Sequence, residues 1–199
     1  MTARDPNIEQ DVRAIVRNIV GGLFEDENSE QRTENRDGSD DTQEASATVV
    51  AVGGDHGGFA LKERIAFRLA EKGFEIIDCG TDSTDAVDYP DIAADVARKV
   101  ASGEANAGVI VDGAGIGSAM AANKVPGVRA ALCYDLSTAR NAREHNHANV
   151  LTLGAGLTGD ALAWQITEEF LSTPYGEGRH ARRVGLIDAL DSPSTENTP

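Results

Sequence analysis

The sequence predicts an α/β domain built as a three-layer sandwich, a five-stranded parallel sheet between layers of helices, preceded by an amphipathic helix and a disordered linker. From residue 47 to 190, short apolar runs rich in Val, Ile and Ala alternate with helical stretches across glycine-containing loops. That alternation argues for parallel strands joined by crossover helices on both faces of the sheet. The composition agrees, with 40% hydrophobic residues, 21 Gly and only 5% aromatics in 199 residues. Residues 25–44 break the pattern, because they contain no aliphatic or aromatic residue at all.

In chain order the first element is DPNIEQDVRAIVRNIVGGLF, residues 5–24. Ile8, Val12, Ile15, Val16, Ile19, Val20 and Leu23 recur at three- and four-residue spacing and form one apolar stripe on a helix. Asp5 suits the N-cap, Pro6 the first helical position, and Gly21-Gly22 the stop. An isolated helix of this length is marginal in water, so its stripe must dock on something. Residues 1–24 are read as this helix and 25–46 as an acidic linker. Nine acids against Arg32 and Arg36 give residues 25–44 a net charge of −7, and such a segment cannot bury enough surface to offset its ordering entropy. The domain over 47–190 reads as strands at 48–52, 74–78, 107–111, 128–132 and 149–153. Helices are expected near 59–72, 90–102, 116–124, 136–145, 159–172 and 180–190. The polar stretch DSPSTENTP, 191–199, reads as a frayed tail.

The formal net charge of −15 repels phosphate backbones and anionic lipid, which argues against nucleic acid or a membrane surface as partner. Cys79 and Cys133 lack metal-ligand spacing and read as free thiols in a reducing compartment. No apolar run approaches the roughly 18 residues that span a bilayer, and the N-terminus is too polar for a secretory signal. A cytoplasmic protein is expected.

Ligands on parallel sheets sit beyond the carboxyl ends of the strands, and chemical groups gather in the loops read there. GGDHGG carries Asp55 and His56, and CGTDSTDAVDYP carries Asp88 and Tyr89. The third strand runs into Asp112 and GAGIG, whose Gly113, Gly115 and Gly117 let amides at a helix N-terminus approach an anion closely. The fourth crossover helix ends in REHNH, with His145, Asn146 and His147, and GRHARR carries Arg179, His180, Arg182 and Arg183. GAGLTG, 154–159, matches the G-x-G-x-x-G dinucleotide fingerprint literally, but it follows the last strand and no acid-bearing strand comes after it.

Five motifs in order (VGGDHGGFALK, DYPDIA, GAGIGSAMAANKVPGVRAAL, AREHNHANVL and GRHARRV) make residues 49–190 resemble the ribose-5-phosphate isomerase B / galactose-6-phosphate isomerase family. The resemblance implies a Rossmann-like fold, homo-oligomers in which two chains build each site, no cofactor and no metal. It also implies aldose–ketose isomerisation of a sugar phosphate through a cis-enediol, with ribose 5-phosphate as first choice. By position, His145 resembles the residue that helps open the sugar ring. Asp55 and Tyr89 resemble groups holding sugar hydroxyls, Asn146 a contact near the reacting carbons, and Ser118 and the loop glycines part of the substrate cradle. His56, Arg179 and Arg183 resemble a phosphate clamp, a role that suits the forked, permanently charged guanidinium.

The chain departs from the family at three places. Asp112 stands where many members carry a catalytic cysteine, and Ala114 replaces the threonine two residues on. The branch with a glutamate base places it at Ser118, so that base is absent too. In the turn after the last strand, Leu157 stands where an arginine is frequent. Asp112 is therefore the candidate base. A carboxylate can shuttle a proton between neighbouring carbons and is ionised at neutral pH, whereas a thiol must first be acidified. The alternatives are a catalytically silent sugar-phosphate-binding or assembly subunit, and an isomerase of another four- to six-carbon sugar phosphate. The N-terminal helix and linker resemble encapsulation peptides that carry enzymes into bacterial microcompartments. That resemblance implies a shell protein or other cargo as partner for residues 1–24, and the compartment lumen as location.

Overall fold

The computed structural model describes residues 48–191; the expected amphipathic helix, the linker and the tail after Asp191 lie outside the described residues. Strands β1 (Val49–Gly54), β2 (Glu75–Asp78), β3 (Ala107–Asp112), β4 (Ala130–Leu132) and β5 (Val150–Gly154) form one sheet in the order β2-β1-β3-β5-β4. Every neighbouring pair is parallel. Between and after them run α1 (Phe59–Glu71), α2 (Tyr89–Ala101), α3 (Ile116–Ala122), α4 (Leu136–Asn146), α5 (Asp160–Ser172) and α6 (Arg179–Asp188). All five expected strands and six expected helices of the domain are present, most ends within two residues of the reading.

Alternation along the strands divides the core into two layers. Val50, Val52, Val109, Val111, Leu151 and Leu153 face α1, α4 and α5, packing with Ile65, Leu69, Ala139, Ile166 and Phe170. Ala51, Ile110 and Val150 point the other way, onto Val96, Ala97 and Val100 of α2 and Ala122 of α3. The sheet is therefore buried on both faces, which explains why its central strands are continuously apolar.

Two boundaries differ for local reasons. β1 and β3 continue to Gly54 and Asp112 because Gly54 and Val111 are still paired across them. Asp191, read as the first residue of the tail, closes a 3-10 turn, Ala189–Asp191, and its carboxylate accepts the Gly127 amide at 2.6 Å. No helix among the described residues is long and apolar enough to cross a membrane.

Candidate active site

The chain turns from β1 into β2 on one side and from β3 toward β5 and β4 on the other. The carboxyl ends of β1 and β3 thus flank the point where strand order reverses, the crevice that open α/β sheets use for ligands. Asp55 leaves the end of β1 half-buried, and one carboxylate oxygen accepts the Gly58 amide at 2.9 Å. His56 is exposed, and its Nδ1 accepts the Val87 amide at 3.4 Å. That bond leaves Nε2 of a neutral His56 ring as the protonated nitrogen.

Asp112, only 5% exposed, ends β3. Its Oδ1 accepts the amides of Ala114, at 2.8 Å, and Gly115. Its Oδ2 accepts the amide of Ser118 at 3.1 Å and the Ser118 hydroxyl at 2.5 Å. The carboxylate thereby caps the loop that opens α3, satisfying amides that have no partner within the helix. Ser118 is fully buried with its hydroxyl turned to Asp112.

Gly115 holds a left-handed conformation, φ 77°, that a side chain would strain. An added Cβ there would also meet Leu132 at 2.5 Å and the Leu153 backbone at 2.9 Å. Gly117 matters for another reason: the Tyr89 ring occupies the space where its Cβ would stand, 2.6 Å away. Tyr89 therefore lies over the glycine loop. The turn after β5 is stitched to the same loop, with the Ala155 amide donating to Asp112 O at 2.8 Å and Gly156 to Gly113 O at 3.0 Å. Leu157, 64% exposed, projects from that turn.

Sequence reasoning missed a residue beneath this end of the sheet. Lys62 of α1 is only 1% exposed, and its ammonium donates to both oxygens of Asp78 at 2.9 and 2.8 Å and to Thr81 O at 2.9 Å. Burial opposes its charge, but the bonds to Asp78 and Glu63 outweigh that and hold its pKa above the ordinary lysine value. It ties down the start of the β2–α2 loop, whose far end carries Tyr89. A lysine in a helix reads as a solvent-facing residue, so only its place in the GGFALK motif hinted at a role.

The remaining candidates stand at the other end of the sheet. A crossover helix must return the chain to where the next parallel strand starts, so α4 ends beside the first residues of β4 and β5. Asn146 accordingly shares a cavity of about 470 Å³ with Val128, Arg129, Ala130 and Ala148. Grouping REHNH with the carboxyl-end loops is corrected by this geometry. His145 stacks on His180 of α6, ring centroids 4.2 Å apart and planes within 7°. Burial first, then the neighbouring His145 and Arg179, holds the His180 pKa below its ordinary value. Arg179 and Arg183 are exposed on α6, and neither forms an ion pair among the described residues. His147 serves the fold: it ends α4 in a left-handed turn, donates Nε2–H to Gly176 O at 2.6 Å and stacks on Tyr175.

The register measures the separation. Asp112 pairs with Gly154 at one end of β5, while Ala130 pairs with Val150 at the other. At about 3.3 Å per residue, four steps separate these two ends of β5 by about 13 Å along the sheet. Within one chain, Asp55, His56, Tyr89, Asp112 and the glycine loop come together; His145, Asn146, Arg179 and Arg183 come together elsewhere.

Known proteins share this architecture. Residues 50–187 match the Ribose/Galactose Isomerase family. Ribose-5-phosphate isomerase B of Escherichia coli is 43% identical over 142 residues, 71% of this chain and 95% of that protein. The solved structure of Clostridium thermocellum ribose-5-phosphate isomerase B superimposes with a TM-score of 0.72 at 46% identity, covering 72% of this chain and 97% of that one. The Mycoplasma genitalium ribose-5-phosphate isomerase B, solved with bound ribulose-5-phosphate, gives 0.70 at 39% identity over 72% and 96% of the two chains. The five-stranded parallel sheet, the glycine loop at its switch point and these matches together place the chain in the ribose/galactose isomerase family, as an aldose–ketose isomerase of sugar phosphates.

Proposed function

We propose that the protein interconverts ribose 5-phosphate and ribulose 5-phosphate in a site assembled from two copies of the chain. The observation that carries this reading is the division of the candidate groups between opposite ends of one sheet. Each half lacks what the other supplies: carboxylates, a tyrosine and an amide-rich loop on one side, an imidazole and two guanidinium groups without an ion pair among the described residues on the other. A second copy packed end against end would bring them together, with Arg179 and Arg183 reaching the phosphate and His56 completing the clamp.

In this reading His145 donates a hydrogen bond to the ring oxygen as the furanose opens, and the proton lost from O1 as the C1 carbonyl forms ends on that oxygen. Asp112 then removes the hydrogen on C2 of the aldose as a proton; the bonding electrons form the C1–C2 double bond and the carbonyl pair moves to O1, giving the ionised form of a cis-enediol. Return of the proton to C1, with a hydroxyl proton moving from O2 to O1, yields the ketose. Asp55 and Tyr89 hold the hydroxyls. For Asp112 to act, the Ser118 hydroxyl turns away and frees Oδ2. The four bonds on Asp112 favour a second reading of that residue alone, a scaffold for the glycine loop with the base elsewhere. Incubating the purified protein with ribose 5-phosphate and measuring ribulose 5-phosphate tests the substrate. No turnover of it, beside turnover of a four- or six-carbon sugar phosphate, moves the assignment to that sugar.

Residues 1–24 are proposed to carry the enzyme into a microcompartment by laying the Ile/Val/Leu stripe in a groove of a shell protein. The support is the stripe itself and the acidic spacer behind it. Fused to a fluorescent protein, residues 1–24 should direct it into the compartment, and Ile15→Glu should leave it diffuse. A diffuse wild-type fusion overturns the targeting.

A further inference from the structure

We infer that Asn141 fixes the His145 imidazole as the tautomer that carries its proton on Nε2, making that nitrogen a donor. Asn141 and His145 are four residues apart on α4 and so share one helix face. The Asn141 side chain lies 2.7 Å from His145 Nδ1. Which end of the Asn141 amide faces the ring is set by its other neighbour. Asn146 Nδ2 donates to Asn141 Oδ1 at 3.4 Å and to the Asn141 main-chain oxygen at 3.3 Å. With its oxygen turned to Asn146, Asn141 presents Nδ2 to His145, and an amide nitrogen can only donate. Nδ1 must then be the acceptor, and a neutral ring carries its hydrogen on Nε2.

Two further contacts leave that hydrogen available. His180 covers one face of the ring and holds its plane. Among the described residues, the carboxylate paired with Nε2 is Glu144, 3.9 Å away and beyond hydrogen-bond distance. The chain of donors Asn146 → Asn141 → His145 thus ends in an N–H with no acceptor among the described residues, on a half-exposed imidazole. A donor is what opening a cyclic sugar requires, because a hydrogen bond to the ring oxygen stabilises the charge it gains as the C1–O bond breaks, while the proton it takes up is the one O1 loses. Asn141 is in these terms a positioning residue, and Asn146 serves it in addition to any contact of its own. The functional weight of the tautomer rests on the reading of His145 as the ring-opening donor.

The test combines a spectroscopic and a kinetic readout on the full chain. Long-range ¹H–¹⁵N spectra, recorded near pH 8.5 where ordinary imidazoles are neutral, report each histidine's tautomer, and His145→Gln assigns the His145 signals. The native protein should show His145 protonated on Nε2. Asn141→Leu removes the donor at similar volume and should give a mixture of tautomers. Asn141→Asp offers a carboxylate that accepts from Nδ1–H and should reverse the tautomer. Turnover of ribose 5-phosphate should fall about tenfold or more in the aspartate variant, with KM little changed, and less in the leucine variant. An unchanged His145 tautomer in both variants overturns the inference. A reversed tautomer with native turnover, while His145→Ala loses turnover, removes its functional weight. Native turnover in His145→Ala overturns the ring-opening role instead and leaves the tautomer result standing on the spectra.

Discussion

At Asp112, two backbone amides fill the lone pairs of one oxygen, and an amide and a hydroxyl fill those of the other. A carboxylate has about four such acceptor positions, so substitution here disturbs the loop as well as any chemistry. Asp112→Asn places an NH₂ against donor amides. It should abolish turnover and also lower unfolding stability by roughly 1–3 kcal/mol, the cost of an unsatisfied buried group. Asp112→Cys separates the two effects, since a thiol keeps a proton-transfer group while losing most of the cap. If Asp112 is the base, the cysteine variant retains measurable turnover at reduced stability; a cysteine variant that is both destabilised and inactive argues for the scaffold. Cys133 gives a second test at this scale. Burial, aided by Asp135 and opposed by Thr138, pushes its thiol up to about 11. The neutral thiol is therefore favoured in the folded state. Its contribution is complete below the ordinary thiol value and is lost as pH rises toward 11, because the unfolded chain releases its proton first. Stability should decline over that alkaline window, and Cys133→Ala should flatten the decline. An equally steep fall in the alanine variant would assign it to other groups.

Among the elements, α3 and the loop that opens it carry the closest steric constraints. Gly115→Ala should cost about 1–3 kcal/mol from its positive φ alone, and more from the contacts with Leu132 and Leu153. Thermal unfolding together with turnover measures it, and an unshifted midpoint would mean that the loop has another conformation available. The same loop marks how far the sequence could be read. Asp55 and Asp112 were legible because an acid directly after an apolar run, before glycines, marks a strand's carboxyl end. His145 and the α6 arginines were legible as chemistry but not as position, because residue types do not say at which end of a sheet a helix finishes. Strand order was not legible either: β4 lies outside β5, and each apolar run suits either place. Asn141 escaped because a polar residue on an exposed helix face looks solvated until its neighbour four residues on is known to be aligned with it. Lys62 escaped because a buried ammonium depends on Asp78 and Thr81, which approach it only in the folded chain.

Over the whole molecule, the proposed activity depends on two half-sites at opposite ends of one sheet and on a second copy to unite them. Asp55→Asn damages one half and His145→Ala the other. Either variant alone should leave every site of a symmetric dimer damaged. Co-expressing the two with different tags, and purifying the assembly that carries both, gives a dimer in which one site holds both lesions and the other neither. If chains share sites, that mixed dimer should convert ribose 5-phosphate at about half the native rate, since one of its two equivalent sites is whole. A mixed dimer as inactive as its parents would place each site within a single chain and contradict the account.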